Sequence, residues 1–184
     1  MHLSEVLHKA NKGSAFAQKS LFDTFAAKML MVCRRYVKNQ EDAEELMLNG
    51  FYKVFKNLSN FKYQGDSACF MWIKQIMVNE CLMFLRKKSV FNLVSEDEAE
   101  LIVVQEEALN NLSADEIFSL IIQLPVGYRT IFNLYAIEGM SHIEIAALLG
   151  IAEGTSKSQL SKAKNLLQNM LTNNQTHYVR RQSK

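Results

Sequence analysis

The sequence is short of the residues that form tight turns and covalent or metal cross-links. One proline and seven glycines in 184 residues are too few turn formers for a β-sandwich or a β-barrel. Three cysteines, an odd number with no CxxC pair, favour reduced and mostly buried thiols over a disulfide framework or a zinc ribbon. The sequence also has no phosphate-binding loop, HExxH pattern or nucleophile motif. We therefore expect an all-α protein that is not an enzyme and uses no cofactor or metal.

Long hydrophobic runs are absent as well. The longest apolar stretches, such as Leu101–Val104, fall far short of the about 20 residues that cross a bilayer. The N-terminus lacks the basic segment, apolar stretch and cleavage site of a secretory signal. We expect no membrane insertion and a cytoplasmic protein.

Charge is divided into blocks that the net charge of +2 hides. Residues 1–88 carry fourteen Lys and Arg against eight Asp and Glu, residues 89–128 carry eight acids and no Lys or Arg, and residues 129–184 carry seven against three. Basic blocks around an acidic one indicate separate domains and favour nucleic acid as a partner, because Lys and Arg release phosphate counterions. Ordinary solvated helix faces are the alternative that charge alone leaves open.

The first block has apolar residues at helical spacing. The pattern predicts a long amphipathic helix over Ser14–Val37. After a plausible N-cap at Asn39, a second helix is predicted over Glu41–Phe55, with its acidic residues in the first turns where the helix dipole favours them. A loop rich in aromatic and basic residues is predicted at Phe61–Ser67, followed by a third helix over Ala68–Lys87.

The rest of the chain predicts an acidic linker and a second helical domain. Residues 89–112 have no sustained period, so we expect a flexible acidic linker there. The predicted organisation is a first domain at 1–88, this linker, a second domain at 113–171 and a polar, frayed tail at 172–184. The helices predicted in the second domain are Asp115–Gln123, Val126–Ile137, one that opens with a capping box at Ser141–Glu144 and ends near Leu149, and Glu153–Leu171.

A turn at Gly150 joins the last two of these helices, and the second of them is basic. This is the pattern of a helix-turn-helix, which places a recognition helix in the major groove. Its core face is predicted at Leu160, Ala163 and Leu167. The candidate duplex-facing residues are small hydroxyls, base-edge readers and phosphate-binding cations, namely Thr155, Lys157, Ser158, Gln159, Ser161 and Lys162. Taken alone, this helix could equally be an ordinary polar surface helix.

The loop and third helix of the first domain interleave aromatic and basic residues, as proteins that bind unpaired nucleic acid do. Trp72 at helical spacing is more often a core residue, and Asn79 without context is more often structural than a base reader. The acidic cluster at Glu41–Glu45 is more simply a dipole-matched helix start than a pair of catalytic carboxylates.

Two separated sets of residues, within about Ala15–Leu171, resemble the extracytoplasmic-function (ECF) class of bacterial sigma factors. Asp42–Leu46 resembles the conserved helix of sigma region two, and matching residues follow in the family's order and spacing: Phe51, Phe61, Gly65, Ser67, Phe70, Trp72, Ile73, Ile76, Asn79, Leu85 and Arg86. A second set of residues resembles sigma region four: Leu124, Pro125, Arg129, Phe132, Leu134, Gly139, Ser141, Glu144–Ala146, Leu149–Ile151, Glu153–Thr155, Lys157 and Ser158.

The resemblance implies a sigma factor whose partners are core RNA polymerase, promoter DNA and an anti-sigma factor. Polymerase would be bound through Asp42, Glu45, Leu46, Leu48 and Asn49. Region two would melt and read the minus-ten element through Phe61, Lys62, Tyr63, Ser67, Trp72, Lys74, Gln75 and Asn79. Region four would read the minus-thirty-five element with the duplex-facing residues named above.

The chain departs from the family pattern at several positions. Leu48 and Asn49 stand where Gln-Glu or Gln-Asp is usual, Ala152 stands where a capping Ser is common, and Gln159 and Lys162 replace frequent arginines. We expect Leu48 to make an apolar contact with its own polymerase clamp. The competing interpretation is a dimeric helix-turn-helix regulator with an N-terminal sensor or oligomerisation module, and an enzyme is a distant third.

Overall fold

The computed structural model describes residues 2–87 and 113–182. It divides into two compact units, Met1–Lys88 and Ser89–Lys184. All regular structure within the described residues is helical, as expected. The linker expected at 89–112 lies outside the described residues.

The first unit is a bundle of four helices, α1 (Leu3–Asn11), α2 (Ala15–Tyr36), α3 (Gln40–Lys56) and α4 (Asp66–Lys87), with a 3-10 turn at Leu58–Asn60. The predicted cap of α3 is confirmed, since the backbone N–H of Asp42 donates to Asn39 Oδ1 at 2.8 Å. Helices α2, α3 and α4 pack on one another around an apolar core that includes Leu21, Met29, Tyr36, Phe51, Ile73, Met77 and Leu82.

Helix α4 supplies much of this core. By length and composition it is, among the described residues, the one helix that qualifies as a candidate membrane span, but half of that stretch is buried inside the bundle. Gly50 of α3 lies so close to α4 that a Cβ there would sit 2.2 Å from Met77 Sδ. Burial and close packing identify α4 as the core helix of a folded unit.

The second unit contains α5 (Ala114–Ile121), α6 (Val126–Phe132), a π-helical turn at Asn133–Ile137, α7 (His142–Leu149) and α8 (Glu153–Gln182). The predicted capping box is confirmed: Glu144 N–H donates to Ser141 Oγ at 3.3 Å, and Ser141 N–H donates to the Glu144 carboxylate at 2.8 Å. Gly150 ends α7 in the left-handed region, with φ of 71°, as the turn required. Leu160, Ala163 and Leu167 of α8 are buried, so its predicted core face is confirmed.

Four details differ from the sequence-based predictions. Helix α1 was not predicted. The loop before α4 is shorter, because Gly65 (φ of 111°) is its last residue and α4 begins at Asp66, which places Ser67 in the helix. The predicted helix Val126–Ile137 changes from α to π geometry at Asn133. Helix α8 continues to Gln182 instead of ending near Leu171, because no glycine or proline follows Leu171 to stop it.

Candidate functional site

Helix α3 presents a mixed acidic and apolar stripe to solvent. Glu41, Glu45, Leu48, Asn49 and Tyr52 recur at intervals of three and four residues, which places them on one side of the helix. Leu48 is 55% exposed and Tyr52 is 67% exposed, although both are large apolar side chains. We call these five residues the α3 stripe.

Burial separates one member of the predicted polymerase-binding set, Leu46, from the α3 stripe, and exposure places Tyr52 in the stripe. Leu46 is buried away from the stripe, on the side of α3 that also buries Gly50 and Val54, so it supports the helix from the core. Tyr52 was missed, although its spacing of four residues from Leu48 was the signal that could have found it.

An aromatic pair joins α4 to the loop before it, residues 61–65, which we call the aromatic loop. The rings of Phe61 and Trp72 stack with their centroids 4.5 Å apart and an interplanar angle of 23°. Both side chains are half-buried, so Trp72 is neither a pure core residue nor a fully exposed one. The Tyr63 hydroxyl donates to Asp66 in the first turn of α4, and this bond raises the pKa of Tyr63. The loop is therefore tied to α4 at both Phe61 and Tyr63.

The polar candidates on α4 occupy its solvent side. Gln75 and Asn79 are exposed one turn apart, and Gln75 Nε2 donates to Asn79 Oδ1 at 3.2 Å. Lys62 and Ser67 are also exposed. Lys74 is only 9% exposed, because it follows Ile73 on the side of α4 that packs into the bundle. This burial corrects the placement of Lys74 among the DNA-facing residues.

An ion pair that the sequence did not reveal connects α3 to α4. Lys53 Nζ donates to Glu80 Oε1 at 2.5 Å, and the Glu80 side chain is buried. The Lys53 side chain is still 40% exposed, so the pair is only partly buried. It joins the helix that carries the α3 stripe to the helix that carries Gln75 and Asn79.

The outward side of α8 is polar, as predicted. Ser158 is exposed and its hydroxyl donates to the Thr155 carbonyl at 3.1 Å, while Ser161 and Lys162 are half-buried on the same side. Lys157 is exposed and forms a 2.6 Å ion pair with Glu153, one turn earlier. Gln159 is only 4% exposed, because it lies on the core side next to Leu160. This corrects the prediction that Gln159 reads base edges.

Arg129, one of the residues that resemble region four, is buried in the second unit. Arg129 Nη1 donates to the carbonyls of Ile122 and Leu124, at 3.0 and 3.2 Å, just past the end of α5. Burial lowers the pKa of Arg129. Arg129 thereby satisfies carbonyls at the end of α5 and ties the connection between α5 and α6 to α6.

Comparison with known proteins identifies these two units. The sequence model described as "Sigma-70 region 2" matches residues 21–90, and the one described as "Sigma-70, region 4" matches residues 108–167. The chain belongs to the sigma-70 family. Region 2 covers the α3 stripe and the aromatic loop, and region 4 covers the helix-turn-helix.

The most similar relatives include ECF sigma factors. The chain is 23% identical over 184 residues to the ECF RNA polymerase sigma factor SigW of Bacillus subtilis, covering 93% of this chain and 97% of that protein. It is 26% identical over 177 residues to the ECF RNA polymerase sigma-E factor of Salmonella typhimurium strain LT2, covering 89% and 91%. Among solved structures, the sigma factor RpoE of Bartonella quintana, determined in complex with the anti-sigma factor NepR, is 22% identical with a TM-score of 0.49, covering 84% and 96%.

These findings support promoter-specific transcription initiation as the function of this ECF sigma factor, with core RNA polymerase and promoter DNA as its partners.

Proposed function

We propose a division of labour among three surfaces of this sigma factor. The α3 stripe, with Asp42 at its start, binds core RNA polymerase. The aromatic loop and the solvent side of α4 melt and read the minus-ten element, and the outward side of α8 reads the minus-thirty-five element. The observation that carries the proposal is the α3 stripe, where two large apolar side chains remain in water beside carboxylates on a helix that is otherwise well packed.

Leu48 and Tyr52 give the α3 stripe an apolar centre, and Glu45 gives it an acidic flank. Exposed apolar groups with a polar rim are typical of a surface that a partner covers. Because Leu48 replaces a family Gln, this contact is expected to be more apolar than usual and matched to the polymerase of the same organism.

Core polymerase binding by paired variants tests this assignment. We expect Leu48→Gln to weaken binding of the full-length chain to its own core polymerase by about tenfold. Burying a leucine side chain at an interface contributes about 1.5 to 3 kcal/mol to the binding free energy. Phe16→Gln is the matched control, since Phe16 is the most exposed large apolar residue among the described side chains and lies on α2, outside the α3 stripe. Equal binding by Leu48→Gln and the parent would contradict the assignment.

The minus-ten proposal depends on the aromatic loop. Duplex DNA hides its bases, and extruding one costs a few kcal/mol that stacking and hydrogen bonds must offset. The Phe61–Trp72 pair offers a stacking platform, and the Asn79 amide has both a donor and an acceptor for a base edge. Lys62, Tyr63, Ser67 and Gln75 complete the proposed surface, and Lys74 supports α4 from inside.

The minus-thirty-five proposal depends on α8. Thr155, Ser158 and Ser161 keep the outward side of the helix small and polar, which suits close approach to a groove. Lys157 and Lys162 lie at the edges of that side, where phosphates would pass. Gln159 belongs to the core side and is left out of the proposed contacts.

Membership of the sigma-70 family also supports proposals about location, chemistry and regulation. We expect a cytoplasmic factor without catalytic chemistry of its own and with an anti-sigma factor as its regulator. The dimeric regulator considered from the sequence needed a sensor module in the first unit. The region 2 match over residues 21–90 supports our proposal that this unit binds polymerase and promoter instead.

A further inference from the structure

The seam between the two helices of the helix-turn-helix contains a polar contact among its apolar ones. His142 is the first residue of α7, and Ser156 lies in the first turn of α8. His142 Nδ1 and Ser156 Oγ are 2.9 Å apart and form a hydrogen bond. The Ser156 side chain is fully buried, so its hydroxyl has exchanged water for the imidazole.

A second contact holds the imidazole ring from its other side. The rings of Tyr135 and His142 stack with centroids 4.6 Å apart and an interplanar angle of 22°. Tyr135 belongs to the π-helical turn that precedes α7. The ring of this α7 residue therefore contacts two other elements: it stacks on the π-helical turn and is hydrogen-bonded to α8.

Apolar contacts across this seam carry little directional information. Helices α7 and α8 pack on each other, and Ile145 and Leu149 of α7 and Leu160 and Ala163 of α8 are buried. Such contacts tolerate small rotations of one helix against another, whereas a hydrogen bond requires both a distance and an angle. The bond joins the end of α7 that is farther from the Gly150 turn to the beginning of α8, where it restrains the angle between the two helices.

The restraint acts next to the residues proposed to meet DNA. Lys157 and Ser158 follow Ser156 directly in the chain, so a rotation of α8 about its axis would move both relative to a groove. The imidazole pKa is lowered, first by burial and then by the nearby Lys157. Glu153 acts in the opposite direction and Lys164 adds to the lowering. The ring is therefore mainly neutral at neutral pH, which suits a structural hydrogen bond better than a phosphate contact.

The geometry points to His142 and Ser156 as a pair of positioning residues that set the orientation of α8 and thereby the sequence preference of upstream-element recognition. The inference rests on the proposed reading of the minus-thirty-five element by α8. Neither residue is required to touch DNA. Loss of the hydrogen bond should lower the preference for one sequence over another without changing how many phosphates the protein meets.

Four variants of the full-length chain separate the parts of this arrangement. His142→Phe keeps a ring to stack on Tyr135 and removes the hydrogen bond. His142→Asn removes the ring but keeps a polar atom at the position of Nδ1. Ser156→Ala removes the hydroxyl, and the double variant His142→Phe/Ser156→Ala removes both partners and leaves no polar group unpaired.

The probe is a duplex that the holoenzyme selects from a pool randomised over the upstream element, with a scrambled duplex of the same composition for comparison. We expect His142→Phe and Ser156→Ala each to lower the ratio of the two affinities by about three- to tenfold, in line with the net strength of one hydrogen bond. The salt dependence of binding to the scrambled duplex should remain unchanged. His142→Asn should retain most of the preference, and the double variant should lose no more than either single variant.

Two outcomes would overturn the inference. One is an unchanged affinity ratio in both single variants; the other is a preference that survives while only the thermal midpoint falls, which would assign the pair to stability alone. If the parent chain itself shows no preference for the selected duplex, the proposed reading by α8 fails instead.

Discussion

At the scale of single residues, burial separates the residues proposed to face partners from the residues that support them. Leu46, Lys74 and Gln159 have the chemistry of contact residues in the sequence, yet all three are buried in the structure. Leu48 and Tyr52 lie on α3 with Leu46, Asn79 lies on α4 with Lys74, and all three of Leu48, Tyr52 and Asn79 are exposed. A one-residue step along a helix turns a side chain by about 100°, so adjacent residues have different roles.

Asn79 provides the sharpest test of minus-ten recognition. We expect Asn79→Ala to reduce the preference of the holoenzyme for its own unpaired non-template strand by about tenfold, because an amide that hydrogen-bonds a base edge contributes about 1 to 3 kcal/mol of discrimination. Core binding should not change. Fluorescent oligonucleotides of cognate and scrambled sequence measure the preference.

Asn11→Ala is a matched control, since Asn11 is an exposed asparagine at the end of α1. If Asn79→Ala keeps the parent's discrimination, the aromatic loop only closes the core of the first unit.

His142 predicts a pH dependence of stability with a definite sign. Its pKa in the folded chain is below the ordinary value of 6.5, so the unfolded chain takes up a proton at a higher pH than the folded chain does. The stability that this residue contributes is complete above about pH 6.5 and is lost as the pH falls through the folded value. The charged groups that act on the ring are Lys157, Glu153 and Lys164. Lys157 lowers the pKa of Glu153, so Glu153 stays ionised over the pH range in which His142 takes up its proton.

Thermal unfolding between neutral pH and about pH 5.5 measures this effect. We expect the midpoint of the parent to fall with pH in this window and the midpoint of His142→Phe to fall less steeply. Parallel curves for the two proteins would show that His142 does not control this part of the profile.

At the scale of elements, capping and helix seams decide how the recognition helix is presented. Helix α7 has eight residues and is too short to be stable alone, so its ends must be satisfied locally. The Ser141–Glu144 capping box does so at the start, and it lowers the pKa of Glu144 because the carboxylate accepts bonds from the Ser141 amide and hydroxyl.

Removing this cap should destabilise the second unit. We expect Ser141→Ala to cost about 1 kcal/mol in the free energy of unfolding, since the orphan amide of Glu144 loses its acceptor. Ser59→Ala is the control, because Ser59 is an exposed serine of the first unit. Urea denaturation of the full chain, followed by a probe in the second unit, checks the difference; a change within the error of Ser59→Ala would contradict the assigned role of the cap.

Several elements could be predicted from the sequence, and the reason others could not is physical. Period and caps were enough for α2, α3 and the turn at Gly150, since these signals are local. Helix α1 was predictable from Leu3, Val6, Leu7 and Ala10, which have helical spacing, but the pattern is short. The contact between His142 and Ser156 was not predictable, because it depends on how two helices cross and not on either helix alone.

At the scale of the whole molecule, the proposal gives the two units complementary tasks on one promoter. The first unit combines the α3 stripe, which we propose faces polymerase, with the aromatic loop, which we propose reads a single strand, and the Lys53–Glu80 ion pair joins α3 to α4. The second unit carries the helix-turn-helix. Melting of a promoter distinguishes this arrangement from a regulator that binds duplex DNA alone.

The most direct test of the account is transcription from genomic DNA of the same organism with purified core RNA polymerase, with and without the chain, followed by mapping of the RNA 5′ ends. We predict discrete start sites that appear only when the chain is present and that share two sequence elements upstream, near minus ten and minus thirty-five. Start sites that do not depend on the chain, or duplex binding by a dimer of the chain without any new start sites, would contradict the account.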